Sequence, residues 1–311
     1  MVGGDIMIQN PIPWPNGARC AVAFTFDVDA ESLIHLGYRD EADNKIASLS
    51  ELGYDAEIAV PRIIALYQRF GMKQTFFIPA WCLEQHPAMT DLILQDGHEI
   101  AHHGYLHENP NKLPPEEERD WLCRAIETIE RTTGRRPRGY RAPSYAFSRH
   151  TAEFLIAEGF AYDASLMGDD IPYLLRHPSG DLIELPSTRQ LDDWTYFVTS
   201  RDFNWMLPTV APERAYEVYR AEFDACWRYG GLWIAVWHPF VSARLGRIDA
   251  MARLIAEMHE RGGVWFATTE QIAAHARSVM ASGQWTPRVR DLPYPRGPIP
   301  ELTPRVRRAA E

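Results

Sequence analysis

Leu232-Trp233-Ile234-Ala235-Val236-Trp237 is an unbroken run of apolar residues, followed at once by His238-Pro239. A strand with no polar interruption is covered on both faces, the condition of strands in a parallel sheet wrapped by helices. Outward from it, strand-like runs alternate with helix-like ones almost to the end of the chain. Cys20–Phe26, Thr75–Pro79, 98–103, Gly139–Pro143, Tyr162–Leu166, Leu182–Pro186 and Val264–Ala267 read as the other strands. Helices are expected over 57–67, with Pro61 tolerated in the opening turn, and over 87–95. A long helix opens at Pro114-Pro115 with Glu116-Glu117-Glu118, whose charge suits the helix dipole, and Gly134 closes it. Another is capped by Ser148 and ended by Gly159; the last three cover Pro212–Tyr229, 248–261 and a stretch from Thr269. The alternation predicts an α/β fold built on a parallel sheet or barrel, and in a barrel the carboxyl ends of the strands form the active face.

A chain of 311 residues suits one such barrel, and 46% hydrophobic residues with a mean hydropathy of −0.31 describe a globular protein with a large core. The formal charge of −10 argues against nucleic acid or an anionic membrane surface as partner. No stretch approaches the roughly 18 apolar residues of a transmembrane helix. Met1–Ile6 has neither the basic nor the apolar region of a secretory leader, so the expectation is a cytoplasmic protein. Cys20, Cys82, Cys123 and Cys226 are scattered without a CxxC pair, in keeping with a reducing compartment. The expected organisation is an N-terminal arm over 1–19, a catalytic barrel over 20–280 and a tail over 281–311. That tail has six prolines and six arginines and is expected to wrap the body or a neighbouring subunit, or to stay disordered. Residues 30–55 read as a polar insertion on the site side of the first strand.

The chemistry-bearing residues cluster at strand ends. Asp27 and Asp29, two apart, project to the same side, and like charges so placed call for a cation or proton between them. One division makes one a metal ligand and the other a proton acceptor; a pair of ordinary turn residues would read the same way. His103 and His107 stand four apart, but so do His98 and His102, so spacing alone does not choose. Strand alternation puts His103 last on its strand, with His107 in the loop beyond, and His98 at the far, structural end. Arg141 can pair with a carboxylate such as Asp27, although a surface arginine over a loop would read the same way. His238, at the carboxyl end of the most apolar strand, suits a general acid or a histidine that caps its strand by bonding backbone. Asp163, Asp192 and Asp193 read as solvated loop acids that can support His238 or substrate. Trp194, Trp205, Trp233 and Trp237 suit a core better than a pocket wall.

In order along the chain these residues resemble the motifs of the polysaccharide deacetylase family (NodB-homology, carbohydrate esterase 4-like). Thr25-Phe26-Asp27-Val28-Asp29 is similar to its Thr-Phe-Asp-Asp motif with one residue inserted. His103-Gly104-Tyr105-Leu106-His107 resembles His-Ser/Thr-x-x-His, Arg141-Ala142-Pro143 the third motif and Trp237-His238-Pro239 the last. His107-Glu108-Asn109-Pro110, Tyr162–Met167 and Leu191-Asp192-Asp193 resemble the branch that holds Helicobacter-type peptidoglycan deacetylases and allantoinase-like proteins. The resemblance implies a distorted (β/α) barrel of about seven parallel strands, and a homo-oligomer, often a tetramer. It implies Asp29, His103 and His107 as ligands of a divalent metal, with zinc the best match to two imidazoles and a carboxylate. It implies Asp27 as base, Arg141 as its orienting partner and His238 as acid, with an oxyanion donor in the backbone after Pro143. Ser144 stands where the family has an aromatic, with Tyr145 one place later; these two, Trp237 and Asp193 are expected to meet the substrate.

The expectation is a metal-dependent hydrolase of non-peptide carbon–nitrogen bonds. Its substrate is an N-acetylated glycan or, alternatively, a small cyclic imide or ureide, which the insertion at 30–55 favours. A noncatalytic sugar-binding relic of the fold would have lost one of Asp27, His103, His107 or His238, and all four are present.

Overall fold

The computed structural model describes residues 7–294 and Gly297. Ten strands form one sheet: β1 Cys20–Asp27, β2 Thr75–Ile78, β3 Glu99–His102, β4 Gly139–Tyr140, β5 Tyr162–Asp163, β6 Tyr173–His177, β7 Gly180–Glu184, β8 Leu232–Trp237, β9 Val264–Phe266 and β10 Val289–Asp291. Seven of them run parallel in the order β7-β5-β4-β3-β2-β1-β8. β9 pairs with the first residues of β1, while β2 takes its last ones. The chain leaving β7 meets β8 at a parallel bridge between Asp192 and Val236 rather than along a ladder. The result is a distorted (β/α) barrel whose strand ends share one face.

Alternation along β1 sorts its residues into two cores. Cys20, Val22, Phe24 and Phe26 pack outward with Ile63, Tyr67, Phe76, Trp233 and Leu254, under the helices Val60–Phe70 and Leu245–Arg261. Ala21 and Ala23 face inward with Phe77, Ala101, Ile234 and Val236. The small inward residues leave room for Thr25 and Asp27 at the top of the same face.

Several expectations are corrected here. The polar insertion at 30–55 carries its own secondary structure, helices Ser32–Tyr38 and Ile46–Leu52 joined by a 3-10 turn, which bury Ile34, Ala42 and Leu52 against Val198, Phe240 and Val241. The helix expected from residue 57 starts as a π-turn, Asp55–Ala59, and becomes α-helical at Val60. β6, antiparallel to β7, and β10, parallel to β6, were not legible as strands. Trp285 is buried in the inner cluster beside Trp14 and Ile12. Residues 1–6 of the arm, and the tail beyond Tyr294 except Gly297, lie outside the described residues. No helix among the described residues is long and apolar enough to cross a membrane.

Candidate functional site

The carboxyl ends of β1, β3, β4 and β8 open into a cavity of about 470 Å³ lined by Asp27, Asp29, His103, His107, Tyr145 and His238, among others. Asp27 is the last residue of β1 and faces inward by the alternation that places Ala21 and Ala23 inside. Its Oδ1 accepts a 2.6 Å hydrogen bond from Arg141 Nη1. Arg141 is fully buried, just beyond β4, and is fixed by three further contacts. Nη1 also donates to Thr25 Oγ1 (2.9 Å), Nε donates to the Ala164 carbonyl (3.1 Å), and the guanidinium lies 4.0 Å from the Phe77 ring centroid. Burial works to raise the Asp27 pKa, but Arg141, helped by His238, outweighs it and holds the carboxyl below its ordinary value.

Asp29, His103 and His107 converge. His103 Nε2 stands 3.5 Å from Asp29 Oδ1, and His107 Nε2 stands 3.5 Å from Asp29 Oδ2. Ligand atoms on a tetrahedral ion with bonds of about 2.1 Å lie roughly 3.4 Å apart, so the spacing fits a shared cation. Asp29 Oδ1 is buried and lacks a hydrogen-bond partner, a costly state for a carboxylate that a cation would relieve. His103 Nδ1 lies 2.8 Å from the Arg141 carbonyl, which fixes Nδ1 as the donor and leaves the Nε2 lone pair toward Asp29. Burial keeps this imidazole neutral, its pKa lowered despite Asp27 and Asp29.

On the opposite wall His238, one residue past β8, is half of a buried pair. Its Nδ1 lies 2.7 Å from Asp193 Oδ1, and its backbone N–H donates to Asp193 Oδ2 at 3.0 Å. Ser242 Oγ donates to the same oxygen at 2.5 Å. Burial works against the imidazolium, yet Asp193, then Asp29 and Asp192, raise the His238 pKa to about 10. Its Nε2 lies 3.7 Å from Asp29 Oδ2.

Asp163, Asp192 and Asp193 are not solvated loop acids; all three are buried. Asp193 holds His238 and does not line the cavity. Asp192 does line it, accepting from Tyr145 Oη (2.8 Å) and the Trp194 N–H (2.9 Å); burial first, then Asp193, raise its pKa to about 6. Asp163 accepts from Ser165, whose Oγ in turn accepts from the Ala142 N–H, so it braces the segment after β4 rather than His238. Ser144 and Tyr145 line the cavity in left-handed backbone, φ 54° and 58°, a conformation non-glycine residues adopt rarely. Trp237 is corrected: alternation along β8 turns it outward among Phe24, Phe26 and Tyr219, and Val236 is the residue on the cavity. His98 and His102 are structural. The first accepts from the Gln74 N–H and the second from the Gly104 N–H, and burial lowers their pKa to about 4 and about 3.

Sequence reasoning missed the roof. Trp194, Phe203, Trp205 and Asp202, from the irregular segment after β7, line the cavity together with Leu33 of the insertion. Asp202 ties the two segments, accepting from Lys45 Nζ (2.9 Å), Ser48 Oγ (2.7 Å) and Tyr38 Oη (3.1 Å to its carbonyl).

A family model described as polysaccharide deacetylase matches residues 38–162, which include His103, His107 and Arg141. A peptidoglycan deacetylase of Helicobacter pylori is 30% identical over 282 residues, spanning 81% of this chain and 94% of that protein. A Mycobacterium smegmatis structure assigned by inference to the polysaccharide deacetylases superposes with a TM-score of 0.84 at 40% identity, over 90% of this chain and 96% of its own. The allantoinase PuuE shares the fold, with a TM-score of 0.76 at 23% identity, over 89% of this chain and 96% of its own. Motifs, strand order and relatives of nearly full length agree: the chain belongs to the polysaccharide deacetylase family, hydrolases of carbon–nitrogen bonds other than peptide bonds.

Proposed function

We propose that the protein is a metal-dependent amide hydrolase that removes an N-acetyl group from an amino sugar. The observation that carries this reading is the convergence of Asp29, His103 and His107, flanked by a held carboxylate, Asp27, and a held imidazolium, His238. Asp29, His103 and His107 would hold the cation, with zinc the best fit to their donor set and cobalt, nickel or iron also accepted. A divalent cation there supplies Lewis acidity, polarising an amide carbonyl and lowering the pKa of a water molecule.

The remaining roles belong to the chain. Asp27, ionised by Arg141, takes a proton from the attacking water. The backbone N–H after Pro143 donates to the developing oxyanion. His238 then protonates the leaving nitrogen through Nε2, while Asp193 keeps Nδ1 occupied and the ring oriented. Ser144, Tyr145 and Asp192 shape the pocket around the acyl group. The name of the Helicobacter pylori relative makes peptidoglycan the first glycan to test.

A second reading, hydrolysis of a small cyclic imide or ureide, is favoured by one observation. The cavity lies within the range of small-molecule sites, about 300–1,000 Å³, and is roofed by Trp194, Phe203 and Trp205. The deciding experiment measures metal content and assays the protein on N-acetylglucosamine oligomers and on cyclic imides. Acetate release supports the deacetylase, ring opening alone supports the second reading, and inactivity of metal-loaded protein on both counts against the hydrolytic site. A cytoplasmic location and assembly into a homo-oligomer are part of the proposal; fractionation and light scattering test them.

A further inference from the structure

The loop from His103 to His107 turns sharply so that two imidazoles meet one carboxylate. His107 holds a left-handed φ of 61°, and Gly104 a φ of 78°. Three successive backbone N–H groups in this loop have side-chain acceptors. Gly104 donates to His102 Nδ1 (3.1 Å), Tyr105 to both Glu108 oxygens (2.9 and 3.0 Å), and Leu106 to Glu108 Oε2 (2.8 Å). The loop carbonyls are gripped from the other side. The Ala80 N–H donates to the Gly104 carbonyl (3.0 Å) and the Trp81 N–H to the Tyr105 carbonyl (2.9 Å), both at the start of the helix Ala80–Gln85. Glu108 is buried and forms no ion pair among the described residues; these N–H groups are the partners of its carboxyl oxygens. Its carboxylate fills the space inside the turn: a Cβ on Gly104 would come 2.9 Å from Glu108 Oε1 and 3.0 Å from Pro143 Cγ.

We infer that Glu108 is a positioning residue for the metal site, clamping the Tyr105 and Leu106 amides so that His107 Nε2 stays aimed at Asp29. A buried carboxylate that spends its acceptors on the backbone between two ligands sets their separation without touching metal or substrate. The inference rests on the reading of Asp29, His103 and His107 as ligands. The test strips the full-length protein of metal and titrates wild type, Glu108→Gln and Glu108→Ala. Co²⁺ is followed by visible absorption and Zn²⁺ by calorimetry, and the Tm of each metal-free protein is measured alongside. Glu108→Ala is expected to bind about 10- to 100-fold more weakly, as for loss of an outer partner of a ligand. The isosteric Glu108→Gln, which keeps one acceptor oxygen, should lose less and retain the metal-free Tm of wild type. Wild-type affinity in both variants overturns the inference alone, as does a loss that merely tracks the unfolded fraction. Wild-type protein that takes up neither ion overturns the ligand reading itself, and this inference with it.

Discussion

His238 is a histidine that burial alone would keep neutral, and the Asp193 carboxylate against its Nδ1 reverses that outcome, raising its pKa to about 10. The proton is therefore present through neutral pH and is lost as pH rises through that value. Replacing Asp193 with Asn removes the charge that holds it. The basic limb of the kcat/KM profile is expected to move to lower pH by at least about one unit, with a rate loss on the order of 100-fold. A variant profile superimposable on wild type would sink the assignment of His238 as acid. The same linkage acts on stability: a raised histidine pKa contributes fully below the unfolded value of about 6.5 and fades as pH climbs through the folded one. Asp193→Asn should therefore lower Tm most in mildly acidic buffer. His107→Ala is expected to abolish metal uptake and activity while leaving the circular dichroism spectrum unchanged; full activity there excludes the metal mechanism. At this scale Asp27, Asp29 and His238 were legible because each stands at or just past the end of an apolar run, while His103, His107 and Arg141 were legible through the family motifs they resemble. Asp193 is buried against His238 rather than solvated in a loop. Nothing in a Leu-Asp-Asp string says which carboxylate turns inward to a histidine 45 positions away.

Elements decide what the site can admit. β8 coincides with the apolar run Leu232–Trp237, yet its alternation puts Val236 rather than Trp237 on the cavity, a distinction a run apolar on both faces conceals. The roof joins two segments that looked like an insertion and a loop, and Asp202 fastens them through Lys45, Ser48 and Tyr38. Asp202→Ala should free the roof without changing the catalytic groups. The expected result is a rise in kcat/KM for N-acetylglucosamine oligomers relative to the monosaccharide, with kcat on the monosaccharide unchanged. A constant ratio would show that the roof does not select substrate length.

Across the whole molecule the two ends of the described chain meet under the barrel. Trp285 lies in the inner cluster and donates through Nε1 to the Asn10 carbonyl (3.0 Å), while Asn10 Nδ2 donates to the Thr286 carbonyl (3.0 Å). β10 then adds to β6. Deleting so large a buried side chain costs about 3–5 kcal/mol. Trp285→Ala should lower stability by that amount in urea denaturation, with metal affinity retained once the protein is folded. An unchanged midpoint would mean that the C-terminal segment contributes nothing to the barrel.

The sequence by itself determined an α/β alternation that suits a parallel sheet or barrel, because apolar period and punctuation recur locally in most of its parallel strands and long helices, and it determined which side chains stand near the strand ends. Tertiary structure decided how those ends are used. Asp193 and Glu108 act by hydrogen bonds whose geometry exists only after folding, and β6, β10 and the roof take their conformation from neighbours rather than from their own composition. Local propensity writes elements; packing between distant segments selects the face each residue presents and the charge state it can keep.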